Sequence, residues 1–119
     1  MSSKVKLRLA AAVVLLFLGL HACAPDRATW YGRHLRGKKM ANGQPFNPDG
    51  MTAASWDYPL GTKLRITHDG KSIIVEVTDR GGEPAFLQFG KTIDLSKGAF
   101  SRLDDPEEGS IHVKIKRVK

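Results

Sequence analysis

With a single cysteine, Cys23, in 119 residues, no intrachain disulfide can form, and the folded state has to rest on a packed core. His34, His68 and His112 are scattered without ligand spacing, which leaves no metal site and no metal cofactor to expect. Phosphate chemistry lacks its glycine-rich loop, because the glycines stand singly or in pairs at turns. Ser55 has no G-x-S-x-G surroundings and no evident histidine base, so a serine-hydrolase template is missing too. There is no internal repeat and no low-complexity tract. The longest apolar run, Leu9 to Leu20, falls well short of the ~20 residues that span a bilayer.

That run follows Lys4, Lys6 and Arg8 with no acid before it, the layout of a secretory signal. Leu20-His21-Ala22-Cys23-Ala24 then resembles a bacterial lipoprotein box, in which the cysteine becomes the acylated N-terminus. The competing reading takes Ala22-Cys23-Ala24 as an ordinary signal-peptidase site, giving a free periplasmic or secreted protein. An exposed, unpaired cysteine in a secreted chain favours the lipoprotein, so residues 1–22 are expected to be signal peptide and 23–27 a tether. Removing Lys4, Lys6 and Arg8 with the signal lowers the formal charge from +7 to +4. Such a surface suits an anionic polymer but is too dispersed to indicate nucleic acid.

The rest of the chain reads as short strands. Ala28 to Gly32 is β-prone, and Arg33 to Asn42 is a basic surface loop ending in the Asn42-Gly43 turn. Gln44 to Gly50 contains two prolines and cannot be a central strand or a helix interior. Met51 to Trp56 is a short apolar segment before the Pro59-Leu60-Gly61-Thr62 turn. Leu64 and Ile66 alternate with polar residues, and Asp69-Gly70 predicts a hairpin pairing that strand with Ser72 to Asp79. Thr92 to Leu95 is a short strand, and Ser96 is the expected N-cap of a helix over Lys97 to Leu103 with Ala99, Phe100 and Leu103 on one face. Ile111, Val113 and Ile115 alternate in the last strand. About six short strands and one short helix in fewer than 100 residues predict a mainly β, small closed barrel.

Ile73, Val75, Val77 and Asp79 fall on one side of a strand that ends at Gly81-Gly82, so alternation gives Asp79 the apolar face at the rim of the core. Partial desolvation there would suit a carboxyl group for proton transfer. Asp79 and Asp94 occur with Trp30, Tyr31, Trp56, Tyr58, Phe86 and Phe89. Carboxyl groups among aromatic faces suit sugar polymers, since rings stack on C–H faces and an acid protonates a glycosidic oxygen.

Ala28-Thr29-Trp30-Tyr31-Gly32, Ala41-Asn42-Gly43-Gln44-Pro45-Phe46, Met51-Thr52-Ala53-Ala54-Ser55, Pro59-Leu60-Gly61-Thr62, Val77-Thr78-Asp79-Arg80-Gly81 and Ile93-Asp94-Leu95-Ser96 stand in the order and spacing of the rare lipoprotein A family. The resemblance covers residues 28–118 and implies a six-stranded double-psi β-barrel, the fold also found in expansins. It implies a cell-envelope lipoprotein, anchored to the membrane through Cys23, that acts without a cofactor. Its partners would be peptidoglycan glycan strands and division-site proteins, with no nucleic acid, and the protein would be a monomer. The implied activity is endolytic lytic transglycosylation of strands lacking stem peptides, with Asp79 catalytic and Gln44, Ser55, Trp56, Arg80 and Asp94 binding substrate. Two of three groove positions depart from the family pattern. Gln44 stands where a glutamate is usual and Ser55 where a histidine is usual, and Gly82 replaces a proline. The alternative is therefore a non-catalytic, expansin-like glycan-binding barrel; a further one is an adaptor that uses Phe86 and Phe89.

Overall fold

The computed structural model describes residues 26–81 and 93–119; the expected signal peptide, Cys23 and the loop carrying Phe86 and Phe89 lie outside the described residues. In chain order the elements are β1 Asp26–Tyr31, β2 Thr52–Ala54, β3 Lys63–His68, β4 Lys71–Asp79, β5 Ile93–Ser96, α1 Lys97–Ser101 and β6 Ser110–Arg117. Single 3-10 turns occupy Arg33–Leu35 and Pro106–Glu108. The strands close in the order β1-β5-β2-β4-β3-β6, parallel at β1/β5 and β2/β4 and antiparallel at the other junctions. Among the described residues this is a mainly β, six-stranded closed barrel with one short helix, as the pattern of strands predicts and as the double-psi barrel implied by the family resemblance requires.

The β3–β4 hairpin forms as its pattern dictates. Asp69 and Gly70 both take positive φ, 46° and 79°, the geometry that lets a two-residue turn match the strand twist. The turn sets the register Leu64↔Val75 and Ile66↔Ile73, which points all four side chains inward. Val77, Ala53, Leu95, Ala28, Ile111 and Val113 continue this interior around the barrel. Ser96 caps α1 by accepting from the Ala99 N–H at 3.1 Å, and Ala99, Phe100 and Leu103 are buried in the same core. Each large side chain buried this way contributes ~1.5–3 kcal/mol of transfer free energy, which is how a domain without disulfides holds. β1 starts at Asp26 rather than Ala28, because Asp26 and Arg27 already pair with Val113 and His112. Helix α1 stops at Ser101, two residues short of the expected end, with Leu103 reaching the core from the following turn.

One departure decides the site. Ala53 pairs with Val77 but Ala54 pairs with Asp79, so β4 carries one extra residue, Thr78, in a bulge. The simple alternation expected through Asp79 is broken there. Thr78 is buried with its hydroxyl donating to Met40 Sδ at 3.3 Å, and Asp79 moves onto the outer face with Ala54 instead of continuing the inward row of Val75 and Val77.

Candidate active site

The outer face of four adjacent strands carries a row, Thr29 on β1, Asp94 on β5, Ala54 on β2 and Asp79 on β4, fixed by direct pairing at each junction. Two inter-strand steps of about 4.8 Å separate the aspartate backbones, with only the Ala54 methyl group between them. Asp94 is 9% exposed and accepts a hydrogen bond from the Thr29 hydroxyl. A cleft of about 170 Å³ lies over the row, lined by Tyr31, Leu35, Ala54, Asp79, Gly81 and Asp94. Gly81 has φ +78°, and a Cβ there would come within 3.8 Å of both Asp94 Oδ2 and the Ala54 methyl. Glycine thus permits the turn and keeps the space open.

Among the described residues Asp79 is held by backbone rather than by a counter-ion. Its Oδ1 accepts from the Arg80 N–H at 2.9 Å and from the Ala41 N–H at 3.1 Å. Among the described residues Oδ2 makes no hydrogen bond, so one oxygen is fixed and the other is available to a ligand. The second contact comes from the loop between β1 and β2. That loop folds back on itself, with Phe46 N–H bonded to Lys38 O and Met40 N–H to Gln44 O, and Asn42 N–H joins it to Thr78 O at the bulge. Phe46 is buried and stacks on Tyr31 with ring centroids 4.7 Å apart.

Tyr31 lies two residues beyond Thr29 on the same strand face. Its hydroxyl and that of Thr52 are buried without a hydrogen-bond partner among the described residues. Burial, then the negative charge of Asp79, and more weakly that of Asp94, push the Tyr31 phenol well above its usual range, while Thr52 pulls the other way without reaching a normal hydrogen bond. A phenol in this setting stays protonated, its hydroxyl buried near Thr52 while the residue helps to line the cleft.

The sequence-predicted residues divide into groups. Asp79 and Asp94 meet in the cleft. Trp56 and Arg80 share a neighbouring, shallower depression with Asp57, Tyr58 and Pro59. Ser55 lies between them, but its side chain is buried and accepts from the Asp57 N–H at 3.0 Å, while its own N–H donates to Asp79 O. Gln44 is exposed on the loop that touches Asp79 and does not line the cleft. Among the described residues the cleft thus brings together Asp79, Asp94 and Tyr31, with Gln44 and Ser55 outside its lining. Sequence reasoning noted Tyr31 only as an aromatic; its spacing of two from Thr29 was the available signal. Nothing in the sequence alone marks Thr29 or Leu35 as a site residue.

The fold and site define a closed six-stranded β-barrel with two carboxyl groups and a neutral phenol around an external cleft. Residues 24–115 match the family model described as lytic transglycolase. The chain belongs to the RlpA-like double-psi β-barrel family. It is 42% identical over 93 residues to an uncharacterized Synechocystis protein, ssl3177, covering 76% of this chain and 94% of that one. Over a stretch of the same length it is 40% identical to the endolytic peptidoglycan transglycosylase RlpA of Pseudomonas aeruginosa, where 76% of this chain corresponds to 26% of that protein. Among solved structures, a mutant Clavibacter michiganensis expansin in complex with cellohexaose superposes with a TM-score of 0.60 at 25% identity, covering 80% of this chain and 50% of the expansin. The chain thus spans about a quarter of that RlpA relative and nearly all of the Synechocystis protein.

Proposed function

We propose that this protein is a peptidoglycan-processing lytic transglycosylase of the cell envelope, acting on glycan strands without stem peptides, with Asp79 as its acid and base. The observation that carries this reading is the Asp79 carboxyl group, fixed through Oδ1 by two backbone N–H groups, with Oδ2 unbonded among the described residues in a cleft whose far side is Asp94. Protonated at Oδ2, Asp79 gives its proton to the glycosidic oxygen as the bond to the anomeric carbon breaks. The resulting carboxylate then takes the proton of the same sugar's 6-hydroxyl as that oxygen closes on the anomeric carbon. No water enters, and the product ends in an anhydro ring. Asp94, steadied by Thr29, lies beside the positive charge that develops on the sugar, and Tyr31 forms part of the cleft wall. Gln44, Trp56 and Arg80 extend the contact with the strand, and Ser55 orders the turn that carries Trp56.

The anchor on Cys23 belongs to the same proposal and rests on the Leu20-to-Cys23 motif. Intact-mass measurement of the mature protein decides it, because a chain beginning at an unmodified residue after Cys23 would rule it out. A second reading, a non-catalytic glycan-binding barrel, is favoured by one specific observation. Gln44 and Ser55 cannot ionise near neutral pH, and the Ser55 hydroxyl is committed to its own turn. Incubation with purified denuded strands separates the two. Anhydro-ended products that vanish in Asp79→Asn support the enzyme, and binding without product supports the module.

A further inference from the structure

Trp56 is the most exposed aromatic side chain among the described residues, at 48%. It stands on the turn after β2, beside a depression of about 470 Å³ that it lines with Asp57, Tyr58, Pro59 and Arg80. Arg80 is aimed by its backbone contacts. Its Nη1 donates to Ser55 O at 3.0 Å and to Tyr58 O at 2.7 Å, and its guanidinium carbon lies 6.0 Å from the centre of the Trp56 ring. Both acceptors are neutral carbonyls, so the cation keeps its charge. Arg80 forms no ion pair among the described residues. Asp57 also lines the depression; its backbone N–H donates to the Ser55 hydroxyl, and its carboxylate forms no ion pair with Arg80. With Nη1 spent, Nε and Nη2 have no partner among the described residues, and these two remain for a ligand.

We infer that Trp56 and Arg80 form a subsite for a sugar ring that bears a carboxylate. The indole face takes the C–H face of the ring, and the planar guanidinium takes the carboxylate. This inference rests on the peptidoglycan reading above and adds the group that is read. In a peptidoglycan strand the carboxyl of the muramic lactyl ether is an uncharged amide wherever a stem peptide is attached. It is a free carboxylate only where the peptide is gone. A pinned cation beside an aromatic platform therefore favours denuded sugars over substituted ones, and a purely neutral stacking platform would not. Because Arg80 follows Asp79 directly, the residue that reads the carboxylate and the residue that transfers the proton are consecutive in the chain. A purely structural Arg80, stapling two carbonyls of the turn, would make binding indifferent to the ligand's charge.

The test uses the full chain and two preparations of the same strands: denuded glycan, and denuded glycan whose lactyl carboxylates have been converted to methylamides. Calorimetric titration of the wild type is expected to show about ten-fold or greater weakening on the methylamide strands, the scale of losing a charge-assisted hydrogen bond. Arg80→Gln should bind the native strands as weakly as the wild type binds the methylamide ones and should not distinguish the two. Trp56→Ala should weaken both by a similar factor. Since Arg80→Gln also removes a staple, the wild-type comparison decides independently of how well that variant folds. Equal wild-type affinity for the two preparations overturns the carboxylate subsite and leaves the peptidoglycan reading standing. No measurable wild-type binding to either overturns both.

Discussion

His68 Nε2 lies 2.9 Å from Asp104 Oδ2, while the other ring nitrogen, Nδ1, lies 2.7 Å from the His112 carbonyl oxygen. Both nitrogens face acceptors, a geometry that only the doubly protonated ring satisfies. Burial works against that charge, but the His112 carbonyl, the Asp104 hydrogen bond and the charges of Asp69 and Asp104 outweigh it, so the His68 pKa is raised. The Asp105 N–H first, and then His68, lower that of Asp104. The pair ties the end of β3 to β6 and to the turn that follows α1.

The sign of the pH dependence follows from these two directions. A raised His68 contributes stability that is complete below its unfolded pKa, about 6.5, and is lost as pH rises through the higher folded value. A lowered Asp104 contributes stability that is complete above about 4 and is lost as pH falls through its lower folded value. Urea midpoints are expected to show the wild type ahead of His68→Gln at pH 5–6, with the gap closing toward pH 9. A gap that stays constant over that range would mean the contact is not ionic.

Gly98 illustrates a close approach rather than a backbone requirement. Its N–H donates to Pro48 O at 2.8 Å, and a Cβ built on it would lie 2.7 Å from Asp49 O and 2.8 Å from the Asp49 Cα. Alanine would gain about 1 kcal/mol of helix propensity in α1. The atoms in the way are backbone and cannot swing aside, so the overlap should outweigh that gain, for a net loss of roughly 1–3 kcal/mol. A Gly98→Ala protein with an unchanged or higher urea midpoint would show that the loop yields.

The hairpin from Lys63 to Asp79 was legible because two signals agree: period-two alternation on both sides of Asp69-Gly70, and a turn pair that tolerates positive φ. The Ser96 cap and the buried face of Ala99, Phe100 and Leu103 were legible for similar local reasons. The bulge at Thr78 was not, since one extra residue leaves no mark on composition and its cause is the register with β2, distant in the chain. Alternation therefore put Asp79 in line with Val77, whereas the bulge turns it outward toward Asp94. Asp94 could be singled out from its motif, but its place two strands from Asp79 is a property of the strand order. Ser55 misled for the opposite reason. The family resemblance puts it at the position of a groove histidine, yet its hydroxyl is turned inward to satisfy the Asp57 N–H.

Gln44 and Ser55 supply the last prediction, since the family pattern has glutamate and histidine at these positions. Gln44 is exposed, so Gln44→Glu should change stability by no more than about 0.5 kcal/mol while placing a carboxylate on the loop whose Ala41 N–H holds Asp79. Ser55 is 3% exposed and its hydroxyl is in use, so Ser55→His has to break one hydrogen bond and force a larger ring into a packed turn. These two effects together should cost roughly 2–4 kcal/mol. The order of activity on denuded strands, measured as anhydro ends released per minute well below each melting temperature, is expected to be Gln44→Glu above wild type. The double variant should be highest where it remains folded. Adding Asp79→Asn to each background should lower the rate by at least about a hundred-fold, as expected when a general acid is removed. If a folded Gln44→Glu protein binds the strands yet neither it nor the wild type releases an anhydro end, the transglycosylase reading falls. What then remains is a barrel that holds glycan without cutting it.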